Sequence, residues 1–332
     1  MAGITHLQEF QKPALRGLVD ATVEASLPTF GDRFLPNDVS YSTTFSYDII
    51  QKKTHIAAMI GYGAEPPVID RDAVASKMAE GAKMGLKYIA TEEELLALNQ
   101  ARSTGEKSAM VEKLTIKGVD LVQALQRRID VSKLQALTLG EFNYNKNGAK
   151  IKFDYGVEAP KSSDWTNPDH DVIGDLLDWV GEYADKNGVQ PSVIVMSREA
   201  QALLLKNAII VTEAGRPEGV SRVNTEQLNS VLGGYGLPAI EVIHDRSITV
   251  DDIYTGEQEV IEILPANRVV MLSEGVGNFI FTPIAEADYQ PRIDLRAYDK
   301  FEPIQSIIRV AAAGFPVVET PSLIMHADVF EA

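Results

Sequence analysis

The chain has 332 residues, 45% of them hydrophobic, a formal net charge of −16 and no cysteine. That length predicts roughly two domains of ~150 residues, with enough apolar mass for proper cores. The missing cysteine excludes disulfides, thiolate catalysis and zinc–thiolate sites, and the acidic balance argues against a dedicated nucleic-acid binder, which shows a basic face.

No run approaches the ~20 apolar residues of a membrane span, so no membrane partner is expected. The first residues, MAGITHLQEFQKPALRG, lack the apolar centre of a signal peptide. Pro13 opens a short helix with Leu15, Leu18, Val19 and Val23 as a narrow apolar stripe. Pro28, Gly31 and Pro36 keep the following chain extended. From Val39, the residues Tyr41, Thr43, Phe45, Tyr47 and Ile49 alternate with Ser40, Ser42, Thr44, Ser46 and Asp48. Strict period two predicts one long half-buried strand, continued by the apolar run 56–60. Gly61, Gly63, Pro66 and Pro67 break it. Residues 45–90 therefore read as an excursion: out along one strand, over a polar tip, and back near Leu86–Ile89. An arm of that length implies a neighbouring molecule to lie on. Its Lys77, Lys83 and Lys87 are expected to be solvated, with contacts to acidic neighbours as the alternative.

Thr91 and Glu94 form a capping-box pattern ahead of Leu95, Leu96 and Leu98. Gly105 is expected to interrupt. Met110, Leu114, Gly118, Leu121, Val122, Leu125 and Ile129 then keep helical spacing, which predicts a long helix over roughly 106–137. Residues 140–157 predict a hairpin, with Asn147-Gly148 as the turn and Ile151, Phe153, Tyr155 and Val157 alternating beyond it.

Residues 165–207 read as helix, strand, helix. Asn167 is expected to cap the first helix, with Pro168 in its first turn and Asp169 and Asp171 against the positive end of its dipole. Gly188 is the expected stop. Ser192–Met196 reads as a buried strand, and Ser197 as the cap of the next helix. Residues 208–240 are Gly-rich and predict one helix at 225–232. Short apolar runs at 240–243, 260–264, 269–272 and 279–281 read as strands, and the tail alternates to the terminal PSLIMHADVFEA.

Candidate chemistry is thin. Asp169-His170-Asp171 and His244-Asp245 could be metal ligands, but the first three splay around a helix start, where capping accounts for them. Gly233-Gly234-Tyr235-Gly236 and Gly275-Val276-Gly277 match no phosphate-binding pattern and read as turns. Ser197 has Met196 and Arg198 beside it and no nucleophile-elbow glycines. No catalytic, cofactor or metal residue is assigned.

The order of elements is an extended N-terminal arm, a two-stranded excursion, a long helix, a hairpin, an α/β segment, a strand-rich region and a short return. It resembles the major capsid protein of tailed phages, of the Hong Kong ninety-seven type. GEFNYNKNGAKIKFDYGV, WTNPDHD with its helix, PSVIVMSREAQALLLKN, LPANRVVMLSEGVGNFIFTPI and PSLIMHADVF are similar to the lambda-type E family in particular, in collinear order over essentially the whole chain. The resemblance implies an α+β capsid fold. Its parts would be an N-terminal arm (1–44), an E-loop (45–90), a P domain with the spine helix and β-hairpin (91–160), an A domain (161–281) and a return to the P domain (282–332). It implies a major capsid protein, not an enzyme, that self-assembles as hexamers and pentamers into an icosahedral shell enclosing double-stranded DNA. The implied setting is the virion, assembled in the host cytoplasm. Implied partners are further copies of the chain, a portal, a decoration protein and packaged DNA bound without sequence specificity.

Two departures bear on this expectation. The chain starts almost directly at the arm, without a scaffolding extension of ~100 residues. That points to a separate scaffolding protein, unless a prosegment was removed. No lysine matches the crosslinking motif of some relatives. The alternative is a soluble α/β hydrolase-like enzyme using His170 or His244 with nearby carboxylates, although no nucleophile, base and orienting group assemble from the motifs.

Overall fold

The computed structural model describes residues 3–51, 73–101, 103–146, 149–215, 219–251 and 256–331. The first part of the chain holds α1 (Lys12–Ala25), α2 (Phe30–Phe34), β1 (Asn37–Val39), β2 (Thr44–Gln51), β3 (Ala73–Glu80), β4 (Ala82–Ala90), α3 (Glu92–Asn99) and α4 (Thr104–Thr138). A hairpin follows, β5 (Glu141–Lys146) with β6 (Ala149–Asp154), and then the short β7 (Lys161–Ser162). The next stretch holds α5 (Val172–Asn187), β8 (Val193–Ser197), α6 (Arg198–Leu204), α7 (Ala208–Glu213), α8 (Thr225–Gly234) and β9 (Ile240–Ile243). The rest is strand: β10 (Ser247–Asp251), β11 (Gln258–Glu262), β12 (Arg268–Leu272), β13 (Gly277–Thr282), β14 (Asp294–Phe301), β15 (Ile304–Val318) and β16 (Ile324–Asp328).

Two sheets organise the molecule. In one, the long β15 is central: β14 and β13 pair along one side of it, β4 along the other, and β1 joins β13 in parallel. In the other the order is β7-β16-β12-β8-β9. Two large apolar clusters pack on the sheets, and the second also takes in Phe315, Val317 and Val318 at the end of β15. Leu15 and Val19 of α1, Leu95 and Leu98 of α3, and Leu114, Val122, Leu125 and Ile129 of α4 pack on the first sheet. Leu176, Val180 and Tyr183 of α5, the wholly buried β8 and Val269–Leu272 of β12 make the second. The close approach of β13 to β15 needs Gly277, because a Cβ there would sit 2.0 Å from the Val317 carbonyl oxygen.

The elements follow local chemistry. Thr91 and Glu94 make the expected capping box on α3. The long helix starts earlier than its apolar period, at an N-cap where Ser103 Oγ accepts from the Glu106 amide at 3.1 Å. Gly105 therefore lies in its first turn and does not interrupt it. Gly188 stops α5 at φ +70, a left-handed conformation that glycine adopts without strain. The hairpin at 140–157 is present, while its expected Asn147-Gly148 turn lies outside the described residues.

Several expectations are corrected. The long strand from Val39 is two strands, and β1 is exposed throughout. Between them the Ser42 amide donates to Ser40 Oγ and Ser42 Oγ to the Thr44 carbonyl, local serine bonds that compete with a sheet ladder. The polar stretch before Leu86 is itself strand, β3 and β4. The run 56–60 and the tip with Gly61, Gly63, Pro66 and Pro67 lie outside the described residues. Asn167 does not cap α5. Its side chain closes a turn onto the Asp169 amide, the Pro168 and His170 carbonyls accept from Asn207 Nδ2, and the helix begins at Asp171, which caps Gly174. Residues 208–240 hold two helices, since Asn207 also caps α7. The run 260–264 is only partly strand; it pairs as β11 with β10.

Candidate assembly surfaces

The residues an enzyme would use come first. Ser163, His170 and Asp175 do meet: Ser163 Oγ donates to Asp175 Oδ2 at 2.5 Å, and His170 Nε2 lies 2.8 Å from the same oxygen and 3.0 Å from Ser163 Oγ. A relay needs the acid on one ring nitrogen and the hydroxyl on the other. Here both share Nε2, which must carry the proton to reach a carboxylate, so it cannot take one from serine. Trp165 Nε1 donates to Asp175 Oδ2 as well, at 2.9 Å, and the indole stacks on Trp179. Burial pushes the Asp175 carboxyl up, but the bonds from Ser163, His170 and Trp165 outweigh it and hold it below the usual carboxylate range. The cluster is a clasp fastening residues 163–170 to α5.

His244 is exposed beyond the end of β9. Gly233 and Gly234 end α8, where helix carbonyls and not amides point outward, the wrong polarity for phosphate. Among the described residues no group of three or more His, Asp or Glu is placed to hold a metal ion.

The surfaces are more telling. β2 and β3 pair along their full length, Thr44 with Glu80 through Gln51 with Ala73, and among the described residues they join no other sheet. The Gly81 amide bonds the Thr43 carbonyl at 3.2 Å, so the stalk leaves the body at one closed point. Large apolar side chains stand out at other projections: Leu27 after α1 (85% exposed), Tyr41 at the stalk root (75%), Tyr289 between β13 and β14 (74%) and Phe301 at the β14–β15 tip (70%). Tyr289 and Asp288 both have left-handed backbones, φ 60 and 56, held by ion pairs of Asp288 with Lys12 and Arg296. Single exposed apolar residues are ordinary on a monomer. Their placement at separate projections is what a subunit with several neighbours needs.

Two open grooves flank α4. One of about 740 Å³ lies between α1, α4 and the start of β14. The other, about 810 Å³, lies between α4, the β5–β6 hairpin and the β10–β11 ribbon. Beneath the first, the fully buried Lys133 of α4 reaches Asp32 Oδ1 at 2.5 Å and Asn37 Oδ1 at 2.7 Å, with its ammonium over the Phe279 ring. This one side chain ties α2 and β1 to the long helix. Lys83 is exposed, as expected, and also pairs with Glu286 at 2.5 Å, because the 285–287 turn folds over its strand. Lys87 is exposed, and the side chain of Lys77 lies outside the described residues.

The family model described as phage major capsid protein E matches residues 22–329. The chain belongs to the phage major capsid protein E family. Solved structures agree on the fold. A prophage protein of E. coli CFT073 assigned as a capsid protein is 14% identical, with a TM-score of 0.61 over 96% of this chain and 98% of that one. A phage-related protein of Bordetella bronchiseptica RB50 is 12% identical, with a TM-score of 0.55 over 94% and 96%. The bacteriophage PhiM1 mature capsid protein is 8% identical, with a TM-score of 0.51 over 92% and 89%. No curated protein sequence matches the chain. The capsid protein thus has the Hong Kong ninety-seven type α+β fold that its order of elements led us to expect.

Sequence reasoning missed Lys133, Asn207 and Tyr289. Asn207 had a readable signal, a cap residue before the run Ala208–Val211. Lys133 reads as an ordinary helical lysine, and nothing in the sequence marks the left-handed turn at Tyr289.

Proposed function

We propose that this capsid protein is the main shell subunit of a phage or prophage, associating as hexamers and pentamers into an icosahedral shell around double-stranded DNA. The observation that carries the reading is the β2–β3 stalk, which finds no sheet partner among the described residues of its own chain, in a member of a major capsid family. Backbone edges and strand faces of that length are satisfied by a neighbour. The parts then take the roles of arm (1–44), E-loop (45–90), P domain (91–160), A domain (161–281) and return (282–332). The role is structural and not enzymatic, which fits the Ser163–His170–Asp175 clasp. Assembly takes place in the host cytoplasm with a separate scaffolding protein, a portal and a decoration protein, and the product is the virion shell. A charge of −16 suits a wall that confines DNA without adhering to it through released counterions.

The test is sedimentation and negative-stain microscopy of the purified chain, alone and with a co-expressed scaffold. Shells, tubes or capsomer rings are expected. A strictly monomeric or dimeric protein at high concentration under both conditions overturns the reading.

A further inference from the structure

The sheet built on β15 packs one face on α1 and α4 and turns the other outward. Pairing registers order that outward face into rows. Arg296, Arg309 and Lys87 lie directly opposite one another across β14, β15 and β4, and Tyr298, Ile307 and Ile89 form the next row. Lys300 follows beyond Tyr298 on β14, on the same face by strand alternation. Adjacent like charges across a sheet are unfavourable unless something meets them.

Half of this face is already met by the chain's own 284–288 segment. Ile284 and Ala287 pack on Ala311 and Ala313. Glu286 pairs with Arg309 at 3.1 Å and with Lys83, and Asp288 pairs with Arg296 at 2.8 Å. The covered half therefore displays the chemistry the face accepts: apolar contact flanked by carboxylates. The open half repeats the pattern. Ile89 and Tyr298 are 37% and 40% exposed over a buried Ile307, with exposed Lys87 and Lys300 on either side. Neither lysine makes an ion pair among the described residues.

We propose that this open half docks the acidic first turn of α3 from a second copy of the chain. That turn carries exposed Glu92 and Glu93, and Leu96 on the next turn is 49% exposed, so carboxylates and an apolar residue share one helix face. Glu94 is excluded because it caps Thr91 and accepts from Tyr88. Only Ala90 and Thr91 separate Ile89 from Glu92, so donor and acceptor surfaces lie at the same end of each copy. A two-fold pair then satisfies both sets at once, as an isologous contact. On a chain of charge −16 most approaches between copies are repulsive, and a local cationic row fixes the productive one.

This contact rests on the self-association proposed above, and full-length charge variants test it separately. Association is measured by concentration-dependent sedimentation for the parent, Lys87→Glu, the pair Glu92→Lys/Glu93→Lys, and the three changes combined. Each reversed set is expected to weaken association roughly five- to ten-fold, and the combination to recover most of the loss. Added salt should weaken the parent. Unchanged association in Lys87→Glu, or a combined variant no better than its parents, overturns the contact. So does a Lys87→Glu protein that self-associates normally but loses a different acidic virion protein. A parent that never associates removes the shell reading together with it.

Discussion

Two buried side chains show how single residues hold this fold. His326 on β16 is 3% exposed, with Nε2 donating to the Leu137 carbonyl at 2.9 Å, near the end of the long helix. Burial, helped by the Arg268 charge, pushes the ring down to about 4, against the opposing pull of the bond to Leu137 and the Asp328 charge. The neutral ring is thus the native form. Between its unfolded value and about 4 the unfolded chain binds a proton that the folded chain refuses, so stability falls as pH drops through that window. Between pH 7 and pH 5 the loss should be about 2 kcal/mol. His326→Gln keeps an N–H donor and has no proton to take, so its urea midpoint should fall less than the parent's over that interval. Equal falls would assign the pH dependence elsewhere. Lys133 makes the complementary case. Lys133→Met leaves Asp32 half-buried without its cation and should cost about 3 kcal/mol in chemical unfolding. Adding Asp32→Asn should recover much of that, because the uncompensated charge is then gone.

At the scale of elements, the join between α5 and α7 depends on one buried amide. Asn207 accepts from the Ile209 and Ile210 amides and donates to the Pro168 and His170 carbonyls. Asn207→Ala should therefore cost about 2–3 kcal/mol, more than the ~1 kcal/mol of Asp171→Ala, which removes a single cap. Thermal melts of the two variants give the order, and a smaller effect at Asn207 would mean that the loops relax onto water. The same residues show what the sequence can express. Helix stripes with caps were readable: Thr91 with Glu94, Leu114 through Ile129, Gly188 and Ser197 all stand where their local chemistry puts them. The start of α5 was misread because Asn167-Pro168 is a sound local cap, and only Asn207, distant in sequence, pulls those carbonyls away. The break at Ser40–Thr43 was hidden because period two continues through it. For the candidate surfaces, the excursion was legible only as far as β2 and β3; its expected return near Leu86–Ile89 is β4, which pairs with β15 of the same chain. The cationic row Arg296–Arg309–Lys87 was not, since it exists only once three distant strands are in register.

At the scale of the whole molecule, the decisive question is whether the stalk belongs to its own subunit's stability or to its neighbours'. β2 and β3 pair with each other and with no other strand among the described residues, and their ends meet at the Gly81–Thr43 bond. Deleting residues 44–80 and joining Thr43 to Gly81 thus closes the chain across an existing contact. The residues described in the two apolar clusters, from α1, α3, α4 and β15 to α5, β8 and β12, all stay in the shortened chain. The deleted protein should melt within about 3 °C of the parent, as a change of well under 1 kcal/mol implies. Its sedimentation should show the loss of large assemblies. If it unfolds, the stalk supports its own body, and the reading of a free arm fails. If it folds and assembles normally, the inter-subunit grip lies in the projections at Leu27, Tyr289 and Phe301 instead. A folded protein that no longer assembles locates the cohesion of the shell in the β2–β3 stalk, which joins no other sheet among the described residues.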